Sequence, residues 1–187
     1  MNIRDWGQNR TMWIRVLEQS TGENLETWNK RIQDAQIGDQ QSLRLWLETQ
    51  GVTGYAQSLL VMERFGYPDF ISASAEDLID GQYEDRPQLR PIFDAIMNAV
   101  VEFGDVVIQA RKTYVSLVSP RRTFARVQPT TKTRLDLGLR LDGQKPGGLL
   151  LPSTIHETMR LQISLTSVDQ VDAEVMSWLR KAYEENS

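Results

Sequence analysis

The sequence has no cysteine and a single histidine, His156, among its 187 residues. The missing cysteines exclude disulfides, thiolate metal sites, iron–sulfur clusters and a cysteine nucleophile. One histidine cannot build a multi-histidine metal site, and the Gly-x-Ser-x-Gly turn of a serine hydrolase is absent. We therefore predict neither a metal nor another cofactor, and the residue types favour a non-enzymatic protein.

The sequence also lacks long apolar runs. None approaches the roughly 20 apolar residues of a transmembrane helix, and the first residues show no signal peptide. We therefore expect a cytoplasmic protein without a membrane partner. Hydrophobic residues make up 40% and charged residues 25% of the chain, which is typical of a globular protein that buries a core. Nothing in the sequence indicates an oligomeric state.

Positive charge is concentrated in one part of a chain whose net charge is −4. Residues 111–145 contain nine lysines and arginines against two aspartates, which gives this segment a net charge of +7. A local field of this size bears on the choice of a binding partner and not on the fold. Neutralisation by acidic surfaces of the same molecule is the alternative interpretation.

The first third of the chain shows the apolar spacing of helices. Apolar residues recur at intervals of three and four in four segments, which glycine-containing breaks separate. The spacing predicts a helical domain over 1–66, with its fourth helix over about 54–65. Residues 67–86 are interpreted as a linker that packs on the surface, because a free tether is poor in aromatic residues. The aromatic residues of this linker are Tyr67, Phe70 and Tyr83.

Residues 87–187 predict a domain of the α+β class. A helix opens near Pro91 and ends at Gly104, and a closing helix follows Ser167, with Trp178 on its apolar face. Between them the apolar period changes to two, which is typical of strands. Short breaks favour an antiparallel meander with strands over 106–111, 113–119, 123–128, 132–141 and, after a glycine-rich loop, 158–165. The predicted fold is α+β: an N-terminal four-helix segment followed by an antiparallel β-meander packed against two helices, with Trp178 buried.

Period-two alternation divides each predicted strand into two faces. One face is apolar, as at Leu135, Leu137 and Leu139 of the fourth strand, and should pack under the helices. The opposite face carries arginines and aromatic rings, and we predict it as the ligand-binding surface. The candidate ligand-binding residues are Arg111, Tyr114, Phe124, Arg126, Arg134 and Arg140, with Arg160 on the fifth strand.

Arginines and aromatic rings on one face suit an anionic partner. Guanidinium groups bind phosphate and carboxylate in a forked geometry, and aromatic rings stack on bases. The leading interpretation is a binding module for nucleic acid, a nucleotide or a phosphorylated metabolite. Alternatively, this face is structural, and the helical domain, a second protomer or solvent covers it. A further alternative is a small-molecule-binding protein or enzyme whose site lies in a cleft between the domains and uses Arg111, Arg126 or Arg134 with Tyr114 and Tyr83.

Four motifs of the sequence are distinctive. They are Gly51-Val52-Thr53-Gly54-Tyr55-Ala56, Glu63-Arg64-Phe65-Gly66-Tyr67-Pro68-Asp69-Phe70, Arg111-Lys112-Thr113-Tyr114-Val115-Ser116-Leu117 and Trp178-Leu179-Arg180-Lys181-Ala182-Tyr183. With these motifs the chain resembles a bacterial tandem of two domains of unknown function. The resemblance implies a small helical domain and an α+β domain of frataxin-like outline, the latter labelled a predicted transport protein. It implies no catalytic or ligand-binding residue.

Overall fold

The computed structural model of the protein describes residues 2–3 and 6–187, and their side chains except those of residues 2, 3, 6, 8, 70 and 72. The described residues form two units with separate hydrophobic cores. One unit consists of residues 6–73, and the other of residues 74–187 together with a two-residue strand at 2–3. No helix in the described ranges is long and apolar enough to cross a bilayer.

The first unit is helical, as the apolar spacing predicted. Its helices are α1 (Trp6–Thr21), α2 (Leu25–Asp34), α3 (Gln40–Thr49), α4 (Gly54–Phe65) and the single-turn α5 (Asp69–Ser72). Helices α2 and α3 begin at capping residues, because the side chains of Asn24 and Asp39 accept hydrogen bonds from the backbone N–H groups of Thr27 and Ser42. The core of this unit includes Trp13, Leu17, Trp28, Ile32, Leu43, Leu47, Leu59 and Leu60.

The second unit combines helices with a mainly antiparallel sheet, which confirms the predicted α+β class. Its helices are α6 (Ala75–Tyr83), α7 (Arg90–Val100) and α8 (Ala173–Asn186), with short 3-10 turns at Pro87–Leu89, Val101–Phe103 and Val168–Gln170. Its strands are β1 (Asn2–Ile3), β2 (Val107–Ala110), β3 (Val115–Val118), β4 (Thr123–Pro129), β5 (Leu135–Leu139), β6 (Leu151–His156) and β7 (Met159–Leu165). The strand order is β1-β2-β3-β4-β5-β7-β6; β1 pairs with β2 in parallel, and the other neighbours pair antiparallel.

Helices α6, α7 and α8 share one hydrophobic core with the apolar face of the sheet. The sheet contributes Leu117, Leu135, Leu137, Leu139, Ile163 and Leu165, among others. Trp178 packs against this core but is only partly buried, so the prediction that it is buried is only partly correct. The buried stripe of α8 runs through Val175 and Leu179. Trp178 precedes Leu179 by one residue and therefore lies about 100° away from it around the helix.

Several regular elements lie where the sequence predicted none, namely β1, α5, α6 and β6. Helix α6 lies within residues 67–86, the expected linker, and begins with a capping box formed by Ser74 and Asp77. Strand β6 lies in the region expected to be a glycine-rich loop. It is an edge strand that contains Pro152, and none of its residues is buried. Because it does not bury an apolar face, its sequence lacks the apolar alternation by which a strand is predicted.

Candidate functional site

Phe124 belongs to the hydrophobic core and not to the arginine-bearing face. Ala125 of β4 pairs with Leu117 of β3, but the next residue of β3 pairs with Thr123, so Phe124 is an extra residue that forms a β-bulge. The Phe124 ring is fully buried, with its centroid 5.3 Å from that of Tyr183. The prediction that Phe124 lies beside the arginines is therefore wrong, because strict alternation does not hold across a bulge.

Arg111, Tyr114 and Arg126 come together on the arginine-bearing face and form the candidate anion site. Arg111 and Tyr114 close the β2–β3 hairpin, where the Arg111 N–H donates to the Tyr114 carbonyl at 2.9 Å. Arg126 lies on the adjacent strand β4, opposite Ser116. Its guanidinium carbon lies 3.8 Å from the centroid of the Tyr114 ring, a close cation–π contact. Two cations and one aromatic ring thus meet on neighbouring strands.

Among the described residues, no carboxylate pairs with a cation of the candidate anion site. Within the described part of the chain, neither Arg111 nor Arg126 forms an ion pair, and Arg111 donates instead from Nη2 to Oε1 of Gln109 at 3.2 Å. Burial lowers the pKa of Arg126; the electrostatic interaction with Tyr114 opposes this shift, and the positive charge of Arg111 adds to it. Arginine nevertheless stays cationic at neutral pH. A bound anion would therefore offset the burial of the Arg126 cation and its repulsion from Arg111.

Gln82 of α6 holds the hairpin that carries two residues of the site. Its buried side-chain Nε2 donates to the carbonyl oxygens of Arg111 at 2.7 Å and Tyr114 at 3.3 Å. Gln82 therefore positions the hairpin backbone and does not face a ligand. No local sequence pattern indicates this residue, because the contact joins positions that are 29 and 32 residues apart.

Arg134 is not part of the candidate anion site, because it already forms an ion pair with a carboxylate of the protein. Its Nε lies 3.2 Å from Asp136, which also accepts a hydrogen bond from Ser164 Oγ at 2.6 Å. Asp136 is fully buried on β5, and a buried carboxylate is costly unless charged or polar partners surround it. Arg134 thus compensates the negative charge of the buried Asp136.

Arg140 lies in a different cluster, at the opposite end of the sheet from the β2–β3 hairpin. This cluster lines a pocket formed by Arg122, Arg140, Asp142, Glu157, Thr158 and Arg160. Asp142 is shared between Arg122, at 3.3 Å, and Arg160, at 3.8 Å. The arginines that the sequence places on one face are therefore divided between two ends of the sheet.

The chemical capacity of the candidate anion site is that of a pair of cations. Guanidinium N–H groups suit the oxygens of phosphate or carboxylate.

Tyr83, which the cleft hypothesis uses, is buried in the core of the second unit with its ring centroid 5.4 Å from that of Phe93. Among the side chains that the structure describes, no group of three or more His, Asp or Glu residues could hold a metal ion.

The second unit matches a known sequence family. No similar protein of curated function and no similar solved structure was found. Residues 77–186, more than half of the chain, match a family described as a domain of unknown function, DUF5655. The match begins within α6 and extends to the last residue of α8, so it covers the candidate anion site and the Arg140 pocket. The chain therefore belongs to the DUF5655 family.

Proposed function

We propose that the protein is a non-enzymatic binding module that holds an anionic group of its partner at the candidate anion site. The observation that carries this proposal is the half-buried Arg126, which lies beside Arg111 and has no carboxylate partner among the described residues. Burying a cation without a counter-ion is unfavourable. A partner that supplies phosphate or carboxylate oxygens offsets this cost.

Two further observations support an anionic partner. The site lies within the segment of residues 111–145, whose net charge of +7 attracts anions over a longer range. Tyr114 keeps the Arg126 guanidinium in one place, so less conformational freedom is lost when a ligand binds. The partners that fit this chemistry are single-stranded nucleic acid, a nucleotide or a phosphorylated metabolite. The sequence resemblance supports a bacterial protein with the helical unit as the first domain of a tandem, and we propose a cytoplasmic location.

The proposal is tested by fluorescence anisotropy with a labelled short single-stranded oligonucleotide at two salt concentrations. Binding at low salt should weaken steeply as salt is added, because each neutralised phosphate releases condensed counterions. We expect Arg111→Ala and Arg126→Ala each to lower affinity and to reduce the salt slope by about 1. Tyr114→Ala should lower affinity with a smaller change in slope, because ring contacts are less ionic.

Arg15→Ala is the matched control, since Arg15 is an exposed arginine of α1 and its loss changes the net charge equally. This variant should bind as the wild type does. Absence of binding at low salt would overturn the proposal. An equal loss of affinity in the Arg15→Ala variant would also overturn it, because the attraction would then be a property of the net charge and not of the site.

A further inference from the structure

A second cationic pocket lies at the end of the sheet where β4 begins and the β6–β7 hairpin turns. Its volume is about 410 Å³, which lies within the roughly 300–1,000 Å³ of small-molecule sites. Three guanidinium groups line it, contributed by Arg122 before β4, Arg140 after β5 and Arg160 of β7. The register of the sheet brings these three residues together from separate parts of the chain.

The pocket contains more hydrogen-bond donors than acceptors. Asp142 is the carboxylate that pairs with Arg122 and Arg160, and its side chain is 57% exposed. Nε of Arg122 is buried and has no hydrogen-bond partner among the described residues. For Arg140 the described residues offer no ion pair at all. The three guanidinium groups therefore have one bridging carboxylate among them, and their remaining N–H groups can donate to the oxygens of an anionic ligand.

The geometry points to a binding site for a single phosphate group between Arg122, Arg140 and Arg160. Three guanidinium groups suit a tetrahedral anion with several equivalent oxygens. Asp142 is the internal competitor of this ligand, because it occupies the N–H groups that the phosphate would use. Glu157 also lines the pocket, and its negative charge beside that of Asp142 disfavours further phosphate groups next to the bound one. This site is separate from the candidate anion site and does not depend on the proposed function.

The site is tested by titrating the full-length, ¹⁵N-labelled protein with inorganic phosphate at constant ionic strength, with sodium chloride as the balancing salt. We expect saturable shifts of the amide signals of Asp142 and Thr158 and of the Arg122 Nε–H signal. Arg122→Ala and Arg140→Ala should each weaken phosphate binding about tenfold or more, because each removes charge-assisted hydrogen bonds.

The discriminating variant is Asp142→Asn. If phosphate competes with Asp142, this substitution should tighten phosphate binding about tenfold, because the arginines lose their internal acceptor. If the cluster is only structural, the substitution should break two ion pairs without any gain in phosphate affinity. Because Asp142 is largely exposed, the variant is expected to fold.

Two controls separate the pocket from general charge effects. Arg121→Ala removes an exposed neighbouring arginine that does not line the pocket, and Asp105→Asn removes an exposed aspartate elsewhere in the unit. Both should bind phosphate as the wild type does. Non-saturable shifts, weaker or unchanged binding in Asp142→Asn, or a loss in Arg121→Ala equal to that in Arg122→Ala would each overturn the inference.

Discussion

The hydroxyl of Tyr83 is buried and has no hydrogen-bond partner among the described residues. The ring adds apolar area to the core beside Phe93, but the oxygen loses its hydration without compensation. Burial raises the pKa of Tyr83 well above its ordinary value of 10.0, and the positive charge of Arg90 opposes this shift. The folded protein therefore disfavours the phenolate form at this position.

We expect Tyr83→Phe to stabilise the protein by up to about 1 kcal/mol at neutral pH, because the unpaired oxygen is removed. The wild type should also lose stability as pH rises above about 10, because the unfolded chain ionises Tyr83 while the folded chain resists ionisation. The variant lacks this loss, so its advantage in unfolding free energy should grow with pH. Urea denaturation from neutral pH to about pH 11 measures both effects. Tyr55→Phe, at an exposed position, is the control; an advantage independent of pH would contradict the prediction.

At the scale of elements, the β6–β7 hairpin packs its tip on the arginine-bearing face of the sheet. Met159 is buried but does not belong to the core under the helices. A Cβ atom placed on Gly138 of β5 would lie 3.1 Å from Met159 Cβ and 3.2 Å from Ile155 Cδ1. Gly138 is therefore required for close packing of the hairpin against β5, and not for its backbone conformation.

Gly138→Ala should destabilise the protein by about 1–3 kcal/mol, because the added methyl group overpacks this contact. Gly143→Ala is the matched control, since a Cβ atom there meets no heavy atom within 4 Å. We expect that control to change stability by less than about 0.5 kcal/mol. The comparison is made by urea denaturation of the two variants and the wild type. Equal midpoints for Gly138→Ala and Gly143→Ala would show that the hairpin tip does not pack on β5.

The register between strands also explains why the arginines of the predicted binding face fall into two groups. Alternation along one strand places a residue on a face, but the register between strands decides which residues become neighbours. The β2–β3 hairpin brings Arg111 towards Arg126, whereas Arg140 meets Arg122 and Arg160 at the other end of the sheet. The geometry therefore supports the hypothesis of two small anion sites and not that of one continuous arginine surface.

For the whole molecule, the separate cores of the two units lead to a prediction about cooperativity. Leu59 is buried in the helical unit and Leu137 in the sheet unit. Leu→Ala substitutions at buried positions cost about 2–5 kcal/mol. We expect Leu59→Ala to speed hydrogen exchange of the most protected amides in α1–α4 and to leave those in β3–β5 unchanged. Leu137→Ala should do the reverse, and acceleration of both sets by either variant would contradict two independent cores.

Features that depend on neighbours along the chain could be predicted from the sequence. The helices α1–α4 follow from apolar residues three and four positions apart, and the apolar face of β5 follows from alternation at Leu135, Leu137 and Leu139. The capping box of α6 at Ser74 and Asp77 is also a local signal, and it could have revealed this helix within the expected linker. These patterns are visible because their physical cause acts over a few residues.

Contacts between polar residues on different strands and helices depend on the tertiary structure. The β-bulge places the Phe124 ring in the core, whereas the sequence predicted this ring beside the arginines. Gln82 and the unpartnered Nε of Arg122 become visible only when distant segments pack together. The reason is that cross-strand register and bulges arise from pairing between residues far apart in the chain, which alternation within one strand does not specify.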